Sequence, residues 1–451
     1  MGIAVWALLL YILIIISWVA VLKRNIGEAM IVGFIVMALF GGKDALSLMW
    51  AGLVFGATHE VLFAAMAFVF MAYLIEKTGL IQKLINILNS VLGRVRGGAG
   101  YVDTIASALF GLISGSGSGN TATVGAITIP WMLKSNWRKE DAATVVAGNA
   151  GMGISFPPNG TMFILLGAAS VSALVTESQL YIALLIAGVY TLIYRLLVVA
   201  WFVRIHKIEA LPKEDILPFK SSIGKGWPSL IIFLGILIPV VLTIGPISET
   251  LETVAGIGAE GIGSISILVW VPILIIIISL LSAWKEIPKK PKEWFSYVEG
   301  ALPAFSVIGV ILLFAFSASE ILKQLGLGEQ LGIIMNSLTL PVWLVALLVG
   351  LLIVLVATPL TATATVTAIG AVAFESLAGV GIEPVIAAVA ILVFASTEGA
   401  SPPGAAPIFI ASGIARVNPV KTFKPLVFLY VIPITLIGWL ILMGILPIPI
   451  L

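Results

Sequence analysis

Two polar, helix-breaking stretches in an otherwise apolar chain carry the residues able to do chemistry. The first, SGSGSGNTATVG over 114–125, is followed by Pro157-Pro158, and the second, TPLTATATVT over 358–367, by Pro402-Pro403. Gly125 and Gly370, each followed by alanine, lie 245 residues apart, as do Pro157 and Pro402. The first stretch offers Ser116, Ser118, Asn120, Thr121 and Thr123; the second has five threonines in ten residues, among them Thr361, Thr363 and Thr365. Around the proline pairs stand Asn149, Ser155, Asn159 and Thr161 on one side and Ser396, Thr397, Glu398 and Ser401 on the other. Neutral hydroxyl and carbonyl oxygens suit a hard monovalent cation, sodium first. They do not suit zinc or copper, and magnesium or calcium usually takes carboxylates, of which the tips and breaks hold only Glu398. No Lys or Arg occurs in 97–133 or 342–415. An anionic solute there must be met by backbone N–H groups, amides, hydroxyls and the field of bound cations, with Asn120, Thr121, Asn159, Thr363 and Glu398 as the substrate-facing candidates.

Such residues need a scaffold that carries them into lipid. The chain has 451 residues, 60% hydrophobic and 10% charged, with mean hydropathy +1.17, against roughly 25% charged in soluble proteins. Apolar runs of membrane-spanning length, such as 3–22 and 427–446, predict an all-α polytopic membrane protein; a barrel would show short alternating segments instead. The first run lacks a charged leader and is expected to be a retained helix. There are no cysteines, which excludes disulfides and thiolate chemistry, and a net charge of +2 without basic-aromatic interleaving gives no sign of nucleic acid. An enzyme is not expected: there is no His-Glu-x-x-His motif or Gly-x-Ser-x-Gly elbow, and neither histidine lies near the polar tips. No cofactor is expected beyond a coupling sodium ion.

Basic residues set the expected orientation. Lys23, Arg24, Arg94, Arg96, Lys134, Arg138, Lys139, Arg204, Lys207, Lys285–Lys292 and Arg416–Lys424 are placed in the cytoplasm, and the acidic loop 245–263 outside. The alternation works only if 100–133 and 341–378 each enter the membrane and return, from opposite sides. That makes two inverted-topology repeats, each with a re-entrant helical hairpin and a broken helix, at 141–174 and 384–416. Other helices are expected at 3–22, 27–41, 60–78, 180–204, 228–245, 263–283, 298–320 and 425–447, with an amphipathic in-plane arm at 81–92 and a counterpart at 285–297. Both termini come out external, in a multi-pass protein of the cell membrane. The expected division is scaffold and arm 1–92, transport half 93–175, scaffold with link and second arm 176–340, transport half 341–416, and terminal helix 417–451.

Small polar residues also serve close helix crossings, but packing alone does not account for a constellation repeated at constant spacing with a Pro-Pro break each time. Asp103 reads as a solvated or capping residue at the hairpin entrance. Glu28, Glu76 and Arg195 read as interfacial or snorkelling groups, and His59 and His206 as surface residues. Glu398, inside a break, reads as functional.

The segment GRVRGGAGYVDTIASALFGLISGSGSGNTATVGAITIP (93–130), the break ISFPPNGTMFIL (154–165) and the run ASPPGAAPIFIASGIA (400–415) resemble the large membrane subunit of tripartite ATP-independent periplasmic (TRAP) transporters. The resemblance implies an elevator-type, sodium-coupled importer, in which a transport domain of hairpins and broken helices moves against a scaffold. It also implies a small membrane subunit, and an extracytoplasmic solute-binding protein that delivers a carboxylate. Carried residue by residue, it marks Ser116, Ser118 and Asn120 with Gly151 and Gly153 for one ion site, and Thr361, Thr363 and Thr365 with Ser396 and Ser401 for the other. Pro157-Pro158-Asn159 departs from the family's Pro-Pro-Ser. The run Ser118-Gly119-Asn120-Thr121 resembles the Ser-Asn-Thr signature of divalent-anion sodium symporters, which work without a binding protein. A stand-alone symporter, or a cation/proton antiporter using Glu398, therefore remains an alternative.

Overall fold

The computed structural model describes residues 2–449, except 254–256, 264–265, 328, 331–332 and 334–339. The described residues form helices and connecting turns, with no strand among them. Glu177–His206, Leu302–Gln324, Ala362–Gly379 and Val420–Leu442 are each long and apolar enough to cross a membrane. Two bent pairs, 42–77 and 213–243, qualify if each is a single span, with bends of 46° and 63°. One helix was not expected: Ala45–Thr58, which meets Glu60–Lys77 at His59, whose imidazole Nδ1 accepts from the Val61 N–H. The acidic loop, as far as it lies among the described residues, contains two short helices, Pro246–Thr253 and Gly258–Gly263.

Two helical hairpins sit at the centre. The first pairs Gly98–Ser114 with Gly117–Lys134. Its turn is two residues long because Gly115 takes φ +59, a left-handed conformation that costs glycine little, and Ser116 then caps the return helix. The second hairpin pairs Val342–Ala357 with Ala362–Gly379, capped by Thr361. The caps are alike: Ser116 Oγ accepts from the Gly119 N–H at 3.1 Å, and Thr361 Oγ1 from the Ala364 N–H at 3.2 Å.

Each hairpin is followed by an interrupted helix. The first runs Lys139–Asn149, tightens to a 3-10 turn over Ala150–Ser155, and resumes as Gly160–Leu166. The second runs Pro384–Ala395, then a 3-10 turn Glu398–Ala400, and resumes as Ala406–Ala415. Proline supplies no N–H donor, and the helix stops there. The helix Glu177–His206, started by a Thr176/Gln179 capping box, lies along both the first hairpin and Pro384–Ala395, and Ile432–Leu442 packs on the latter.

The basic groups that flank the first hairpin lie close to those that follow the second break. Lys134 pairs with Asp215 at 2.5 Å, Lys421 with Glu140 at 3.1 Å, and Arg138 with Asp141 at 2.8 Å, while Gly97 N–H donates to Glu209 O at 2.9 Å. The amphipathic helix Leu80–Leu92 lies against Phe219–Gly226, and Lys83 reaches Glu286 at 3.0 Å, so the expected arm touches the segment expected to hold its counterpart.

Candidate functional site: two hairpin tips against two helix breaks

Glycine lets the two breaks cross backbone on backbone. A methyl on Gly151 would lie 2.1 Å from the Ser396 carbonyl oxygen, and one on Gly399 would lie 2.6 Å from Ala150 Cβ. Gly153 rests on Gly111 of the first hairpin, where a methyl would meet the Gly111 carbonyl carbon at 1.9 Å. Gly151 and Gly153, expected at an ion site, are thus also fixed by steric need. The Gly153 carbonyl accepts from the Phe156 N–H at 3.2 Å.

The tips are stitched crosswise to the breaks. Thr161, just past the first break, places its hydroxyl 3.1 Å from that of Thr363 on the second hairpin. Glu398, in the second break, reaches toward both hairpins: a methyl on Gly117 would lie 2.8 Å from its Oε2, and the Ala362 N–H lies near its carboxylate. Gly117 and Ala362 are the first residues of the two return helices, whose N-termini carry free N–H groups and the positive end of the helix dipole.

Asn120 and Thr365 occupy matching places one turn into the return helices. Asn120 Nδ2 donates to Ala150 O at 3.2 Å and Ser107 O at 3.4 Å, which leaves Oδ1 buried without a hydrogen-bond partner among the described residues. Thr365 Oγ1 is likewise buried and unpartnered, as are Ser155 Oγ and Asn149 Oδ1. Buried acceptors are nearly always satisfied, so each of these positions fits a bound cation or ordered water. The hydroxyls of Thr121, Ser396 and Ser401 donate to Gly117 O, Val393 O and Thr397 O at 3.0, 2.7 and 2.9 Å. Each keeps lone pairs free for a ligand. Ser116 and Thr361 lie at the exposed mouth, and Ser118 is half-buried beside them. Asn159 is spent on the break itself: Nδ2 donates to Ile154 O and Phe156 O at 3.1 and 2.7 Å, and Oδ1 accepts from the Met162 N–H at 2.8 Å.

Residues 3–448 match the sequence model of the family described as "Tripartite ATP-independent periplasmic transporter, DctM component". The chain belongs to this family. As a DctM-type large permease it is 22% identical over 433 residues to the C4-dicarboxylate TRAP transporter large permease protein DctM of Vibrio cholerae, covering 91% of this chain and 93% of that one. With the DctM of the same description from Pseudomonas aeruginosa it shares 27% over 179 residues, 40% of this chain and 41% of the relative. With the 2,3-diketo-L-gulonate TRAP transporter large permease protein YiaN of Escherichia coli it shares 27% over 207 residues, 46% of each. The fold is similar to that of the YdaH transporter of Alcanivorax borkumensis, at TM-score 0.66 and 17% identity, covering 89% of this chain and 88% of that one. MtrF of Neisseria gonorrhoeae follows at TM-score 0.65 and 14% identity, covering 89% and 85%.

Two expectations for this permease are corrected. Asp103 is neither solvated nor a cap. It is 0% exposed and accepts from Thr128 Oγ1 at 2.6 Å and Asn149 Nδ2 at 2.9 Å, binding the two arms of the first hairpin to the first broken helix. Arg195 does not snorkel. It too is 0% exposed; its Nε donates to Gly148 O at 3.3 Å while both terminal nitrogens lack a hydrogen-bond partner among the described residues, and Tyr430 packs on Gly148 beside it. The contact of Glu398 with both tips left no mark in the sequence beyond its place in a break.

Proposed function

We propose that this DctM-type permease is a sodium-coupled importer of a small organic anion, working by an elevator movement. The observation that carries the sodium reading is the matched pair of orphaned acceptors, Asn120 Oδ1 and Thr365 Oγ1, at positions 245 residues apart. A sodium ion at each place would satisfy them together with the backbone carbonyls of Gly151 and Gly153 and the hydroxyl oxygens of Ser116 and Ser118 on one side, and the hydroxyl oxygens of Thr361, Thr363, Ser396 and Ser401 on the other. The two hairpins are read as re-entrant from opposite sides, in two inverted repeats. Their tips, with Asn120, Thr121, Thr363 and Glu398, form the substrate cradle, and Asn159 acts by bracing the break.

Sodium binds first, orders the tips and supplies the field that draws in a carboxylate. Both hairpins and both broken helices then move as one body. Carboxylate as the solute class is supported by relatives described as dicarboxylate and diketogulonate permeases. A small membrane subunit and a solute-binding protein are proposed partners, in a cell membrane with both termini outside. The description of one relative, an isethionate TRAP transporter permease protein DctMQ from Oleidesulfovibrio alaskensis, favours a partner of this kind.

The test is uptake of labelled carboxylates into liposomes holding the chain, with and without its co-purified partners, under an inward sodium gradient. Gradient-dependent uptake only with partners supports the tripartite reading. Uptake by the chain alone identifies a stand-alone symporter, and ion flux without solute identifies an antiporter.

A further inference from the structure

Among the described residues, Glu398 is the carboxylate that stands between the two hairpin tips. It is 4% exposed, lies against Gly117 and has the Ala362 N–H near its carboxylate, so it stands by the start of both return helices at once. No cation is set against it: 97–133 and 342–415 contain no Lys or Arg, and no described salt bridge includes it. The other acids of these stretches lie elsewhere in the fold. Asp103 holds Thr128 and Asn149, Glu383 caps Pro384–Ala395 by accepting from the Ile386 N–H at 2.9 Å, and Glu375 lies near Ser170 with its Oε2 buried and unpartnered among the described residues. Arg195, the buried cation nearest in sequence to the first repeat, is directed at Gly148 O.

A carboxylate so placed uses up anion-binding capacity that an incoming acid would otherwise have. When ionised, it also places a negative charge in a poorly screened site, where like charges repel more strongly than in water. We propose that Glu398 determines the solute class: the cradle takes a monocarboxylate that turns a hydrogen-bond donor, an α-hydroxyl or α-ammonium, toward Glu398, and rejects a C4-dicarboxylate, whose second carboxylate would meet it. This rests on reading the two tips as the substrate site. Ionised carboxylates accept strong hydrogen bonds from hydroxyl and ammonium groups, so the residue that repels the dicarboxylate also orients the hydroxy or amino acid.

The test measures binding to the full chain in nanodiscs with saturating sodium chloride, by thermal shift, using glycolate, glycine and succinate on the wild type, Glu398→Gln and Gly117→Ala. In the wild type, glycolate or glycine is expected to half-saturate at a concentration at least tenfold below succinate. In Glu398→Gln the gap is expected to close to less than threefold, with succinate binding at least tenfold more tightly than to the wild type. Gly117→Ala, whose methyl displaces the carboxylate while leaving its charge, is expected to move succinate the same way by a smaller factor. Succinate binding the wild type as well as glycolate does, or gaining nothing in Glu398→Gln, overturns the proposal and leaves the cradle standing. If no probe shifts any of the three proteins, the cradle reading falls and takes the proposal with it.

Discussion

The hydroxyls of Thr161 and Thr363 lie 3.1 Å apart, joining the helix that follows the first break to the return helix of the second hairpin. One hydrogen bond thus links the two halves of the chain at the depth where the tips converge. Removing it with Thr161→Val is expected to destabilise the protein by about 1 kcal/mol. The double variant Thr161→Val/Thr363→Val should be little worse than the worse single one, because the pair acts as a unit. Thermal unfolding of the three variants in detergent checks this; additive losses would show that each hydroxyl has another partner.

Gly151 and Gly153 are expected not to tolerate a side chain. A methyl at either would fall about 2 Å from backbone atoms of Ser396 or Gly111, and backbone cannot swing aside. Overpacking of this kind costs roughly 1–3 kcal/mol or more. Gly160→Ala and Gly413→Ala, where a methyl meets nothing within 4 Å, are the matched controls. Expression yield and melting temperature should fall for the first pair and hold for the second.

Asp103 and Arg195 should respond differently to neutral replacement. Asp103 accepts two side-chain hydrogen bonds that tie three segments together, so Asp103→Ala leaves buried donors unmet and is expected to cost about 3 kcal/mol or more. Arg195 spends one nitrogen on Gly148 O and leaves two unpartnered. Arg195→Met keeps much of the volume and removes a poorly satisfied charge, and is expected to cost less than Asp103→Ala or even to stabilise. Denaturation of both variants in one lipid composition ranks them; a larger loss for Arg195→Met would point to water-mediated partners for the guanidinium.

Lys83 and Glu286 join the amphipathic helix to the segment before Pro291 at 3.0 Å, and the Lys83 hydrogen bond holds the Glu286 carboxyl below its usual range. A depressed carboxylate contributes stability above its unfolded pKa and loses it as pH falls through the lower folded value. The pair is largely exposed, so the contribution is small. A double-mutant cycle on Lys83→Ala and Glu286→Ala is expected to give under about 1 kcal/mol. It should shrink in high salt and vanish when Glu286 is protonated.

Both hairpins and both breaks were legible in the sequence because they violate the pattern around them. Gly115-Ser116 and Thr361 interrupt apolar runs with residues that end or cap helices, and paired prolines stop helices with no donor to continue them. Ala45–Thr58 was not legible, since Gly52, Gly56 and Thr58 weaken its helical signal and its position depends on packing against Leu302–Gln324. The burial of Asp103 and Arg195 was not legible either. A charge at a helix end and one inside an apolar helix look the same in sequence whether lipid, water or another helix faces them. Nothing local announces that Glu398 meets Gly117, because that contact exists only once the two halves of the chain close on each other.

The central claim is that Asn120 Oδ1 and Thr365 Oγ1 each face a sodium ion. Titrating the purified chain with sodium chloride against choline chloride, and following thermal unfolding, tests it most directly. The wild type should show saturable, sodium-specific stabilisation, and Asn120→Ala and Thr365→Ala should each raise the half-saturating sodium concentration about tenfold, which corresponds to roughly 1.4 kcal/mol. Equal stabilisation by sodium and choline, or unchanged sodium dependence in both variants, would contradict the account.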